Sequence, residues 1–483
     1  MNGFASKTCP ALVLVLGAAC AESAEPAPRV SAAPPGAPNI LLVSIDSLRP
    51  DHLGCYGYGK PTSPFIDSLA AEGLLFENAL STTSWTLPAH AALFTGLRDS
   101  VHGLVDNGRS LNAEHSTLAE VLSAGGYRTA GFYGGPYLHP VFGVGQGFET
   151  YVNCMSQSEL GEEVRQEAML PDSRSHTDVT GPRTRQAVAR WAAATVEDAR
   201  PYFLFVHLWD VHYDYTAPEE YVRMFDEGYV GEVDGRLMSN PAIHGEMSER
   251  DLEHLLALYD AEIRFTDDVL RGLLQDLGAL GMLENTLVVL TSDHGEEFFE
   301  HRQKGHNKSL YDEVLRVPLI LHWPGEIPAG ARTQLQVQLI DLMPTLIATT
   351  KVAALGSVQG RDLSPLFAGA SLPEREALAE LLIDGQSYRA LRSNARKVIE
   401  VQRGEPAFFA DLKAHPREDV WIQKGGPHDA KSEEQRLRAQ AELRAAIERC
   451  LEFGGALEAG ELSLDEDTAQ RLRELGYLGS DED

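Results

Sequence analysis

Positive charge is scarce in this 483-residue chain: 41 Lys and Arg stand against 71 Asp and Glu, a formal charge of −30 with His neutral. Such a surface repels nucleic acid and anionic lipid, so neither is expected as a partner. An anionic substrate is compatible with this field only where a local cationic centre offsets it, and a bound metal is the obvious one. Cysteine is nearly as rare. Beyond Cys20 only Cys55, Cys154 and Cys450 remain. An odd, sparse set excludes a disulfide framework, and without a CxxC pair or a Cys/His cluster no structural zinc site is expected. The apolar run ALVLVLGAA is too short to span a membrane as a stable helix. It follows Lys7 and precedes Cys20, the layout of an export signal over residues 1–20. Leu16-Gly17-Ala18-Ala19-Cys20 has the form of a bacterial lipobox with Gly17 where Leu is usual. Cys20 is therefore a candidate lipid anchor, the alternative being ordinary cleavage nearby. Residues 21–38, rich in Ala, Pro and Glu, read as a disordered spacer. The expected location is the periplasm or cell envelope.

What is present is an ordinary globular composition, 43% apolar and 23% charged. Short apolar runs of the kind a buried parallel strand shows occur at Asn39 to Ile45, Arg128 to Tyr133, Tyr202 to Val206, Thr286 to Thr291 and Val317 to Leu321. Helices are expected between them. One opens at Ser63-Pro64 and stops at Gly73, one has Pro88 in its first turn and ends at Gly96, one is long and amphipathic over 248–278, and one spans 339–349. This alternation predicts an α/β fold, a mostly parallel sheet flanked by helices. The catalytic domain is expected over 39–354, a small C-terminal α+β subdomain over 355–430, and a helical tail over 431–483. In such sheets functional groups collect beyond the carboxyl ends of the strands. Asp46, the stretch His207 to His212, and Asp293-His294 all fall there. The stretches 152–182 and 216–247 are polar, without readable periodicity, and long enough to be lids or specificity loops.

Asp46, Asp293 and His294 are ligand types that suit a divalent cation, and Thr86 is a candidate fourth partner. A hydroxyl is a poor nucleophile unless a base or metal lowers its pKa. The stretch Thr86-Leu87-Pro88-Ala89-His90 places one at the mouth of a short helix, which also attracts anions. Taken singly, each residue has a plainer role: an Asp ending a strand is commonly a cap or turn former, and a Thr before Pro an N-cap.

Together the blocks NILLVSIDSLRPDHLGCYGY, TLPAHAALFTG, FLFVHLWDVHYDY, TSDHGEEFFEH, GHNKSLYDEVLRVPLIL, VQLIDLMPTLIA and RLRELGYLG resemble the sulfatase branch of the alkaline phosphatase superfamily, over about residues 38–480. The resemblance implies an alkaline-phosphatase-like fold and a metal held by Asp46, Thr86, Asp293 and His294. It implies a catalytic or substrate role for His212 and His306, and a hydrogen bond from Asn107 to a non-bridging oxygen of the substrate. Lys308 is an alternative to His306 for the cation that faces the substrate. His90 takes the position of the family's Arg, which steadies the nucleophile. Asp210 and His301 read as structural or supporting.

The chain departs from that pattern where it matters. Sulfatases convert a Cys or Ser in C/S-x-P-x-R to formylglycine, whose hydrate offers two hydroxyls; Thr86 offers one. No Cys here stands in that context, and Ser84 lacks the Pro. Ser47 replaces a second Asp common in sulfatases, and His294 their usual Asn. That exchange moves the site from calcium toward zinc or manganese. A second metal near Asp210, His212 and His306 stays open. The expectation is a metal-dependent hydrolase of phosphate, phosphonate or sulfate esters that uses Thr86 as nucleophile. The substrate is a small anionic ester or a sulfated or phosphorylated glycan or lipid headgroup. Alternatives are a phospholipid headgroup transferase, a true sulfuric ester hydrolase, and a non-catalytic binding protein on the same fold.

Overall fold

The computed structural model describes residues 32–155, 178–354, 356–401, 408–421, 430–453 and 459–461. The expected export signal, Cys20, most of the expected spacer, the greater part of the 152–182 stretch and the last part of the tail lie outside them. Eight strands form the main sheet: β1 (Asn39–Ile45), β2 (Leu74–Leu80), β3 (Arg128–Tyr133), β4 (Thr150–Asn153), β5 (Tyr202–Leu208), β6 (Thr286–Thr291), β7 (Arg316–His322) and β8 (Ala331–Gln338). Their order across the sheet is β8-β2-β7-β6-β1-β5-β3-β4. Every neighbouring pair is parallel except the two made by β7, which runs antiparallel to both β2 and β6. The sheet is therefore mostly parallel, as expected.

Successive residues of a strand point to opposite faces, and both faces of this sheet are covered. Ile40, Leu42, Phe203, Phe205, Leu287 and Val289 pack on one side with α2 (Thr86–Thr95) and α5 (Leu342–Thr350). Leu41, Val43, Leu204, Val206, Val288 and Leu290 pack on the other. That second face is covered by α1 (Pro64–Glu72), α3 (Gly181–Thr195) and the long α4 (Glu249–Ala279). All ten residues of α2 are buried. The helix ends at Gly96, which adopts the left-handed conformation (φ 65°) and returns its N–H to the Ala92 carbonyl at 2.9 Å.

The C-terminal part forms a separate four-stranded antiparallel sheet: β9 (Ala377–Ile383), β10 (Gln386–Arg392), β11 (Arg396–Val401) and β12 (Phe408–Asp411). The charged helix α6 (Ala430–Leu451) lies against it, burying Leu443 and Ile447 with Leu378, Leu391, Val398 and Phe409. Further on, Gly460–Glu461 pairs with Arg109–Ser110 of the catalytic domain. Buried ion pairs tie the small sheet to the large domain: Lys397 Nζ lies 2.9 Å from both Asp312 Oδ1 and Glu418 Oε1, and Arg392 holds Asp312 at 2.7 Å.

Candidate active site

The parallel register of β1 and β6 sets Ser44 beside Thr291, so Asp46 and Asp293 emerge side by side from the carboxyl edge of the sheet. Helix α2 brings Thr86 over them. The Thr86 hydroxyl donates to Asp46 Oδ2 at 3.3 Å and lies 3.3 Å from His294 Nε2. His294 Nε2 lies 3.4 Å from Asp293 Oδ2 and 3.7 Å from Asp46 Oδ1. All four side chains are buried. The Asp46 carboxyl is held far below the usual carboxylate range: burial alone would raise it, and the surrounding His207, His212 and His294 outweigh that.

This set fits a divalent cation. His294 Nδ1 meets the Gly295 carbonyl at 2.9 Å. A carbonyl only accepts, so Nδ1 is the donor there and Nε2 is the nitrogen turned toward Asp46 and Asp293, as in a ligating imidazole. Asp293 is divided in the same sense. Its Oδ1 accepts from the backbone amides of His294 at 2.9 Å and Ser47 at 3.3 Å, while its fully buried Oδ2 has no hydrogen-bond partner. A dry carboxylate oxygen without a donor is costly, and a cation is its natural partner. Asp46, Thr86, Asp293 and His294 would hold it.

Two further imidazoles lie beneath. His90, one turn after the nucleophile position, donates from Nδ1 to the Thr86 carbonyl at 2.8 Å, and its Nε2 meets Ser44 Oγ at 3.1 Å. Burial pushes its pKa down to about 4. It is therefore a neutral ring that fixes the backbone under Thr86, not a cation touching the hydroxyl. His207 received no role from the sequence. It sits in β5, in register with Ser44. Its Nδ1 meets the Gly134 carbonyl at 2.8 Å, and its buried Nε2 faces Asp46 Oδ2 at 3.3 Å. Burial opposes its protonation, but the charges of Asp46 and Asp293 outweigh that and raise its pKa. His90, His207 and Asp293 are close enough to be a second candidate metal group. Both His90 nitrogens are already engaged, so this group is not a ready ligand set.

On the other side of Thr86, His306 and His212 face each other with ring centres 4.9 Å apart, and His306 lies 4.3 Å from the His294 ring. His306 Nδ1 is held by Glu296 at 2.9 Å, a buried carboxylate that also accepts from the Tyr215 hydroxyl at 3.2 Å. Burial lowers the His306 pKa, and the Glu296 charge more than reverses that. His212 is stacked on Trp209 at 3.8 Å and bonded through Nδ1 to the Tyr213 carbonyl. Asn107 is hydrogen-bonded to Tyr137, whose ring packs edge-on against Trp85 beside Thr86. Lys308 directs its ammonium to the Lys304 carbonyl at 2.8 Å. The backbone amide of Asn307 meets the Ser84 carbonyl at 2.8 Å, which joins the His306 loop to the Thr86 loop.

The family model for sulfatases matches residues 38–352. The chain belongs to the sulfatase family. Among its curated relatives is an ulvan-active sulfatase of Formosa agariphila, 27% identical over 79% of this chain and 76% of the relative. Another is human arylsulfatase A, 28% identical over 78% and 76% of the two chains. In fold it is similar to the phosphonate monoester hydrolase of Agrobacterium radiobacter, with a TM-score of 0.69 at 23% identity over 86% of this chain and 96% of that one. This sulfatase-family protein is an ester hydrolase, and its family is metal-dependent.

Two residues close in sequence to the site of this hydrolase lie off it. Asp210 accepts from the Thr180 amide at 2.7 Å and is pushed up to about 6 by burial. It is thereby occupied at the start of α3, and among the described residues it belongs to no group placed to hold a metal. His301 bridges Glu313 and the Glu418 carbonyl and stacks on Tyr311. Burial lowers its pKa, but Glu313 raises it to about 9, from 6.5 in the unfolded chain. Its contribution to stability is then complete below about pH 6.5 and is lost as pH rises through about 9. Melting temperatures across that range should show His301→Gln furthest below the wild type at the acid end, with the gap closing in alkali. A gap independent of pH would show that the imidazolium is not what stabilises.

Proposed function

We propose that this hydrolase cleaves phosphate or phosphonate esters, with Thr86 as a directly encoded nucleophile that carries a covalent intermediate. One observation carries the reading: a single threonine hydroxyl lies 3.3 Å from both Asp46 and His294, where the family's two-hydroxyl aldehyde hydrate would stand. The chemistry that a divalent cation supplies at such a set is to lower the hydroxyl's pKa, so that its proton leaves to solvent, and to offset charge on the transferred group. Two carboxylates, an imidazole and a hydroxyl suit zinc or manganese better than calcium.

The side chains account for the rest. Thr86 Oγ attacks phosphorus in line, and the bond from phosphorus to the ester oxygen breaks. His306 or His212 gives that leaving oxygen its proton. Water then attacks phosphorus, the bond to Oγ breaks, and the histidine takes a proton back from the water. Asn107 and the uncapped N-terminus of α2 offer donors to the non-bridging oxygens. A sulfated threonine follows the same course only if water attacks sulfur, since Thr86 has no second hydroxyl to expel the group by breaking a C–O bond. Initial rates on a sulfate monoester, a phosphate monoester, a phosphodiester and a phosphonate monoester test the proposal. Turnover of the sulfate ester alone would overturn it.

Glu296 is expected to set the orientation and basicity of His306. Glu296→Gln should lower kcat about 10- to 100-fold, as for other carboxylates that orient a working imidazole. An unchanged kcat would remove His306 from proton transfer.

The relatives support a second reading, hydrolysis of sulfate esters on a polysaccharide, because one of them is an ulvan-active sulfatase. We place the enzyme in the cell envelope on the strength of its export signal. A lipid anchor at Cys20 would be detected as a mass increment on that residue.

A further inference from the structure

At the far end of α2 from Thr86, between the large domain and the small sheet, lies a cavity of about 410 Å³. Arg98 enters it just beyond α2, Gln359 and Arg375 from the connection into the small sheet, and Arg449, Cys450 and Phe453 from the end of α6 and just beyond. In a chain of charge −30, this is a gathering of three guanidinium groups.

Arg98 is the informative one. It is 6% exposed. Its Nη1 donates to Gln338 Oε1 and to the Leu378 carbonyl, both at 2.8 Å. Among the described residues, its Nε and Nη2 make no hydrogen bond, and the carboxylates that act on it, Glu380 and Asp341, do so without forming an ion pair. Arg49 and Arg392, which are as deeply buried, each hold a carboxylate at 2.7 Å. Leaving a buried guanidinium half-satisfied is unfavourable unless something else completes it. The neighbours do not. Arg375 donates to the Gln359 carbonyl at 2.9 Å and lies 3.9 Å from Asp341, Arg449 is exposed on the rim, and the one acidic wall residue, Glu376, is turned to Arg396 at 3.2 Å. The Cys450 sulfur accepts from Gln359 Nε2 at 3.1 Å, and the acceptor oxygens nearby, Gln359 Oε1, Gln338 Oε1 and the Leu378 carbonyl, are all taken by Arg98.

We infer that this cavity binds an oxyanion, a sulfate, phosphate or carboxylate group, free or carried on a small molecule. The planar fork of Arg98 presents Nε and Nη2 to two oxygens, the geometry in which arginine holds such groups. Arg449 closes over the anion from the rim. The site is separate from the catalytic one.

Cys450 reports on it directly. The full-length protein is alkylated under native conditions with iodoacetamide, a neutral reagent, and the rate at Cys450 is read from its peptide by mass spectrometry. Sodium sulfate should slow that rate at least about threefold relative to sodium chloride of equal ionic strength, once sulfate exceeds about twice its Kd. Cys55, half-buried elsewhere, should be unaffected. Arg449→Ala removes an exposed side chain and leaves the fold intact, and it should raise the sulfate concentration needed for protection about tenfold. Glucose 6-sulfate forms a parallel arm. Protection by inorganic sulfate assigns the free ion, and protection by the sugar sulfate alone assigns a pendant group. Equal slowing by sulfate and chloride, no slowing by either sulfate, or protection indifferent to Arg449→Ala would overturn the inference.

Discussion

Thr86→Ala should lower kcat by about 10⁴ or more, because no neighbouring group can take over the attack. The adjoining hydroxyls of Thr82, Thr83 and Ser84 are buried and face no part of the Asp46, Asp293 and His294 set through any hydrogen bond. Thr86→Ser keeps the hydroxyl on the same backbone and should stay within about tenfold of the wild type. The loss is expected to be chemical, not structural: Thr86 lies inside the helix after the N-cap Trp85, and its hydroxyl meets only Asp46 and His294. Intact-peptide mass spectrometry after exposure to substrate provides the second readout. A phosphate increment on Thr86 is expected in the wild type and absent in the alanine variant. Because the nucleophile needs no conversion, co-expression with an enzyme that makes formylglycine should change neither mass nor rate. Residual activity of Thr86→Ala near the wild-type level would remove the covalent mechanism.

Asp293→Asn should separate metal affinity from stability, with effects of opposite sign. The substitution keeps an oxygen for the His294 and Ser47 amides but replaces the bare Oδ2 with an uncharged NH₂. Removing one charge from a buried pair costs about 3–5 kcal/mol, on the order of 10²- to 10⁴-fold in cation affinity. Elemental analysis after dialysis should find the wild type loaded and the variant largely empty, with activity lost in proportion. In chelator the ranking should invert: the metal-free variant should melt above the metal-free wild type, because a dry carboxylate is no longer left uncompensated. A variant that retained its metal would show that Asp293 is not a ligand.

The sequence announced the elements that carry strong local signals and missed those that depend on a neighbour. Ser63-Pro64, Pro88 and Gly96 mark helix ends by fixed φ, a missing N–H or tolerance of the left-handed region, and those helices stand where expected. β2 was missed because Glu77 and Asn78 interrupt its apolar run at the half-buried part of the strand. β8 was missed because its first half, Ala331 to Gln334, is partly exposed along an edge and reads as polar. The same limit applies to the site. Asp46, Thr86, Asp293 and His294 lie in compact, recognisable blocks. His207 and Glu296 lie in such blocks too, but nothing in the blocks gives them a role. His207 reads as the end of a strand, and only the register of β1 with β5 shows that it lies beside Ser44 and below Asp46. Glu296 sits in an acidic run that resembles a solvated surface until the chain folds back to bring His306 onto it. His90 was visible, but its partner, the Thr86 carbonyl, is set by helix geometry, so its role is to hold the backbone.

Helix α2 has one more consequence. It is ten residues long, buried on every side and without a side-chain N-cap. A segment that short does not persist as a helix in water, and one with no polar face has no stable resting place on a half-built protein. It forms only as the sheet and α5 close around it. Until they close, the Thr86 hydroxyl has no fixed orientation and no dry surroundings. The seat of Thr86 over Asp46 and Asp293 is thus a product of the closed core and cannot precede it.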